Sequence, residues 1–201
     1  MGPPAGVYHA PMTQFALKEW AVTLDALASG RQVLIVRKGG IGEKRFDLPH
    51  PHFYLFPTYA HQRPELVKPE FHDAYRASLE RRDEPERIPL RLYAELHSAY
   101  EIRDDAGLAA VAPEHVLTDD YAAERLRWRR KHPLWAAVLR VWRVAEPPVL
   151  EVTDAHGGCV SWLALPDVPA PGAREPVLDD AAFAAAEARV AEALAGVAAP
   201  S

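Results

Sequence analysis

The stretch from Ile88 to Ile102 constrains the fold most, because its side chains alternate in period two. Leu90, Leu92, Ala94 and Leu96 fall on one side, and Arg91, Tyr93, Glu95 and His97 on the other. Successive strand residues point to opposite faces, so this pattern predicts a half-buried strand of the kind found in antiparallel sheets. Other strand-length runs surround it. Gln32–Lys38 carries Val33, Leu34, Ile35 and Val36 in continuous order, which predicts a strand buried on both faces and turned by Gly39, Gly40 and Gly42. Further strands are expected at Lys44–Leu48, His52–Phe56, Val138–Val144, Val149–Val152 and Cys159–Leu165. The last two should form a hairpin around Asp154–Gly158.

Helices are expected between these runs. From Thr13 to Ser29, Leu17, Trp20, Ala21, Leu24 and Leu27 recur at three- and four-residue steps, with Thr13 as cap and Gly30 as left-handed stop. Phe71, Tyr75 and Leu79 suggest a helix over Lys68–Arg82, and Thr118 caps another over Asp119–Lys131. Trp20 and Trp162 read as structural aromatics on apolar stripes. Strands and helices do not alternate regularly, so the fold class is α+β: a single domain with a mostly antiparallel sheet packed by helices. Its expected extent is 13–165, after a flexible start at 1–12. A proline-rich linker over 166–178 and a C-terminal helix over 179–201 follow.

Composition excludes several classes. The 201 residues, 49% apolar, suffice for one core, and a formal charge of −5 argues against a surface that coats nucleic acid or anionic lipid wholesale. It leaves room for a local basic groove. Cys159 is the single cysteine, so no intrachain disulfide forms. The opening residues lack a basic region followed by an apolar stretch, and no apolar run approaches a membrane span. A cytoplasmic protein without a membrane partner is the expectation. No cofactor is implied, since no Gly-Lys-Ser/Thr follows the glycines to make a Walker motif. No metal site is expected either. His50, His52, His61 and His72 lack Cys-x-x-Cys or His-Glu-x-x-His spacing, and Cys159 reads as a small buried hydrophobe in a strand.

Three groups of residues carry candidate chemistry. Arg37 and Lys38 end a buried strand beside Gly39 and Gly40, whose bare amides suit a phosphate or carboxylate. Thr58, Tyr59, His61 and Gln62 bring a hydroxyl, a phenol, an imidazole and an amide to the end of another strand. A plain three-strand meander would put both groups at one edge, about two strand spacings or roughly 10 Å apart. Arg37, Lys38, His61 and Gln62 are therefore expected in one pocket. Lastly, Arg125, Arg127, Arg129 and Arg130 surround Trp128, a pairing suited to phosphates and base stacking. The competing reading is a solvated face balanced by Asp119, Asp120 and Glu124.

Four blocks together, Phe15-Ala-Leu-Lys-Glu-Trp-Ala, Arg37-Lys-Gly-Gly-Ile, Phe56-Pro-Thr-Tyr-x-His-Gln and Gly158-Cys-x-Ser-Trp162, resemble a bacterial domain family of unknown function. The resemblance covers most of residues 13–165 and implies no catalytic residues. It implies a nucleic-acid setting, through relatives beside restriction-type nuclease domains. The chain is not itself expected to be such a nuclease, because Glu43-Lys44-Arg45 ends in arginine where the metal-binding motif needs lysine. Three readings remain. One is a binding module for nucleic acid or a phosphate-bearing ligand; another is an enzyme on a small anionic substrate, with Glu19 or His61 as base. The third is an accessory protein without a site. The first is favoured, and the oligomeric state is left open.

Overall fold

Most backbone pairing lies in a curled sheet of eight strands. The computed structural model describes residues 13–38, 48–127 and 134–200, with side chains through Val197. Along the sheet the order is β2 (Leu34–Arg37), β6 (Leu134–Val144), β5 (Leu92–Ile102), β3 (His52–Thr58), β1 (Gln14–Trp20) and β8 (Trp162–Leu165). Two short strands extend it: β9 (Arg174–Pro176) on β6, and β10 (Ala198–Pro200) on β5. A separate two-stranded sheet pairs β4 (Arg87–Pro89) with β7 (Val149–Glu151). Only β1 and β3 run parallel among the described pairs; all others are antiparallel. The fold is α+β with a mostly antiparallel sheet, as expected. No helix among the described residues is long and apolar enough to cross a membrane.

Both faces of the sheet are covered. On the concave face Leu17, Ile35, Phe53, Leu55, Ala94 and Leu139 pack with Leu24 and Leu27 of α1 (Ala21–Ala28). Arg37 of β2 reaches Glu19 of β1, strands far apart in the order, so the sheet curls on itself. The convex face is covered in two halves. Leu34, Val36, Ala136 and Val138 meet α3 (Asp105–Val111), α4 (Asp119–Arg127) and α5 (Asp180–Leu194). Ala16, Tyr54, Leu163 and Leu165 meet Ile88 and Leu150 of the small sheet. A fully buried leucine such as Leu17 contributes about 1.5–3 kcal/mol. Last, α2 (His72–Glu80) packs Tyr75 against Trp20, Val22 and Ala26.

The first expected helix is corrected. Gln14–Trp20 is a strand, and only Ala21–Ala28 is helical. Ala16 and Leu17 are both fully buried, on opposite faces, so β1 shows no polar–apolar alternation. It enters α1 without a loop, and the apolar spacing ran across the junction. Gly30 does stop α1, with φ +71°. The expected hairpin of the last strands is also absent: β7 pairs with β4, β8 with β1. Nor do β2 and β3 form a meander, since β6 and β5 lie between them and the two strands run antiparallel. Of the strand expected at Lys44–Leu48, Leu48 is not in a strand and the rest lies outside the described residues. So do the flexible start, the Gly39–Gly42 turn and the last part of the Asp119–Lys131 helix.

Candidate functional site at the β1–α1 corner

The corner where β1 becomes α1 is held from three sides. Glu19 is buried, and its Oε1 accepts from the Trp20 amide at 2.8 Å. Its Oε2 accepts from Arg37 Nη1 at 3.2 Å, and Arg37 Nη2 donates to Ser161 Oγ at 2.7 Å. The Arg37 and Glu19 side chains are 12% and 9% exposed, so each charge depends on the other to offset its desolvation. One residue earlier, Lys18 Nζ donates to the carbonyls of His156, Gly157 and Gly158 at 2.6, 3.2 and 3.1 Å. Burial lowers the Lys18 pKa, and the neighbouring Cys159 partly restores it. On the helix side, Gln62 Oε1 accepts from the Val22 amide at 3.1 Å. All four sequence blocks therefore converge here: the corner itself, then Arg37, Gln62 and Ser161.

Lys38 adds a second connection. It is 3% exposed, and its ammonium donates to the Leu126 carbonyl in the last turn of α4. Its pKa is lowered by burial. Thr118 precedes α4, and its Oγ1 accepts from the Tyr121 amide at 3.3 Å. Tyr121 stacks on Trp20, with ring centres 5.2 Å apart and planes at 12°. The Arg125 guanidinium lies 5.4 Å over the Tyr121 ring. Burial raises the Tyr121 pKa; Glu19 raises it further, while Arg125 and Arg37 oppose. Arg127 is exposed, 3.9 Å from Asp105. Gly39, Gly40, Trp128, Arg129 and Arg130 lie outside the described residues.

The other expected ligand contacts separate. Thr58 Oγ1 accepts from the Ala60 amide at 3.3 Å, and Tyr59 faces a cleft on the flank of α1. His61 is exposed at φ +60°, away from any role in the corner. Gln62 is buried as a clamp, and its Nε2 has no partner among the described residues. Arg37 and Gln62 do serve one corner, but by the β1–α1 junction rather than by a meander. Cys159 is exposed, because β8 starts only at Trp162. His156 is turned inward to Thr153, whose amide donates to its Nδ1 at 2.9 Å. His50 stacks on Phe15 and meets Trp162 edge-on. No group of three or more His, Cys, Asp or Glu gathers among the described residues. Sequence reasoning missed Tyr121 and gave Ser161 no role beyond its place in a block; Tyr121 stands three residues past a helix cap, where an aromatic facing inward is the one available signal.

The chain belongs to a family of domains of unknown function, DUF1802, whose sequence model matches residues 16–189. No curated protein matches the sequence. A crystal structure of a ZmASCH mutant protein from Zymomonas mobilis is similar at 14% identity with a TM-score of 0.40, covering 75% of this chain and 89% of that one. A likeness of that size carries no functional argument.

Proposed function

We propose that this DUF1802 member is a binding module for a phosphate-bearing ligand, nucleic acid being the class favoured, with its contact face where β2 meets α4. What supports this is the joining of two basic groups that stand far apart in the sequence. The Lys38 ammonium on the Leu126 carbonyl sets the end of β2 against the last turn of α4, 88 residues away. Lys38 and Arg37 are themselves committed, to a carbonyl and to Glu19. The contact cations are then Arg125 and Arg127, with Trp128, Arg129 and Arg130 following in the sequence. Along α4 the charges are segregated: Asp119 and Asp120 stand in the first turn, Arg125 and Arg127 in the last. The positive end is the one beside β2. Arg125, anchored over Tyr121, keeps N–H donors for phosphate oxygens.

The test is fluorescence anisotropy with labelled single-stranded RNA and with single- and double-stranded DNA, over a salt series. Binding should weaken steeply with salt, and Arg125→Ala with Arg127→Ala should reduce the log–log slope by about 0.7–0.9 per lost phosphate contact. Neither residue holds the core, so melting should stay unchanged. Absence of binding to all three at low salt, or a double variant that binds like the parent, refutes the reading.

A further inference from the structure

We propose that a cleft on the flank of α1 is a separate ligand site, for a small planar molecule bearing one anionic group, the class that nucleoside monophosphates represent. The cleft encloses 770 Å³ and is built from α1, the ends of β3 and β6, and the segments around α2 and β4. Small-molecule sites typically run from about 300 to 1,000 Å³, with an apolar floor and a few fixed polar groups. Here the floor is Leu24, Leu55 and Leu92, each also part of the concave core and therefore rigid. Ala21 and Ala28 of α1 line one wall and leave room for a flat body.

The rim sets the charge of the ligand. Arg81 Nη2 donates to Asp25 at 2.6 Å, and Arg91 grips Asp83 through both Nη atoms at 2.6 and 2.7 Å. The third arginine, Arg143, donates to the Ala28 carbonyl at 2.5 Å and meets no carboxylate among the described residues. Three guanidiniums stand against two carboxylates, leaving an excess of one positive charge at Arg143. One anionic group on the ligand would complete the pairing. Tyr59 lines the same cleft; burial, Asp83 and Asp25 raise its pKa, so it remains a hydroxyl donor. Asp25 and Asp83 keep acceptor lone pairs for amino groups on a heterocycle. A free phosphate would satisfy Arg143 but leave the leucine floor wet, so the body of the ligand matters as much as its charge.

Isothermal titration calorimetry of the full chain with AMP, adenosine, inorganic phosphate and indole-3-acetate tests this. AMP should bind, and adenosine and phosphate each more weakly. Arg143→Ala should weaken AMP by about tenfold or more, the loss expected of a charge-assisted hydrogen bond. Arg143 is exposed, so this variant should melt like the parent, and Arg125→Ala should bind AMP normally. Arg143-dependent binding of indole-3-acetate instead would assign the same site to an aromatic carboxylate. The proposal fails if none of the four binds at millimolar concentration, or if binding is indifferent to Arg143→Ala. Because it does not use α4, its failure leaves the nucleic-acid reading standing, and the converse holds.

Discussion

The β1–α1 corner and the cleft flanking the same helix both set arginines beside carboxylates, yet those arginines have opposite occupations. At the corner, Arg37 and Glu19 are 12% and 9% exposed and tie three chain segments together. At the cleft, Arg81 and Arg91 are 63% and 56% exposed, against partners Asp25 and Asp83 that are 33% and 16% exposed. A charge pair out of water is costly to break, because the survivor is stranded; a pair in water exchanges its partner for solvent. Within the recognisable blocks of this sequence, Glu19, Arg37, Gln62 and Ser161 are the residues that fasten the fold. Those with free donor capacity are scattered along it.

Breaking the corner should give the largest effect. Glu19→Ala removes the carboxylate that offsets the buried Arg37 charge and the acceptor of the Trp20 amide, so the expected loss is about 3–5 kcal/mol. Chemical denaturation measures it. A loss below about 1 kcal/mol would mean the corner behaves like an ordinary surface pair and would erase the contrast with the cleft.

A third kind of polar residue sharpens the comparison: one buried without any charge partner. His115 is 3% exposed, and its ring makes no ion pair among the described residues. Burial, and then the Lys68 ammonium, lower its pKa from 6.5 to about 4, with Asp119 opposing. In the unfolded chain the ring takes its proton as pH falls through 6.5, whereas in the folded chain it stays neutral until about 4. The unfolded state binds more protons in that window, so stability falls as pH falls, by about 3 kcal/mol in total. His115→Leu should flatten the acid side of a stability–pH curve. Parallel curves for parent and variant would refute the assignment.

The far end of α1 is fastened by geometry rather than charge. Gly30 sits at φ +71°, and a Cβ there would lie 2.6 Å from Leu178 Cδ2. Gly30→Ala should cost about 1–2 kcal/mol from the left-handed backbone, with Leu178 free to turn aside. Thermal melting reads it. A neutral result would show that α1 depends on its corner alone.

What was legible in the sequence follows the same division. Period-two alternation located β5, and the apolar run Val33–Val36 located β2, because local pattern reports which face is buried. Strand partners left no such trace. β7 pairs with β4, about sixty residues back, and β6 inserts beside β2 from about a hundred residues on. That is why the expected meander, and the pocket built on it, did not form as drawn. Glu19, Arg37 and Gln62 were picked out for their chemistry, and the structure brings them to one corner as fasteners. The cleft was invisible apart from Tyr59, since Asp25, Asp83, Arg91 and Arg143 each stand alone in ordinary surroundings.

The smallest expected effect is also the one that separates the two regions most directly. Arg91 forms a two-pronged contact with Asp83, the best geometry among the rim pairs. On distances alone it should outrank the single 3.2 Å contact of Arg37 with Glu19. Solvent reverses that order. With Arg91 more than half exposed, water can take the place of its guanidinium at the rim, and solvent-screened pairs typically contribute about 0–1 kcal/mol. Arg91→Ala should therefore lower stability by no more than about 1 kcal/mol, several-fold less than Glu19→Ala. High salt should shrink the Arg91 difference further and leave the Glu19 difference nearly untouched, because screening reaches exposed charges and not buried ones. Denaturation of both variants at low and at high salt supplies the comparison. If Arg91→Ala costs as much as Glu19→Ala, the cleft rim is part of the framework, and its arginines are not held in reserve for a ligand.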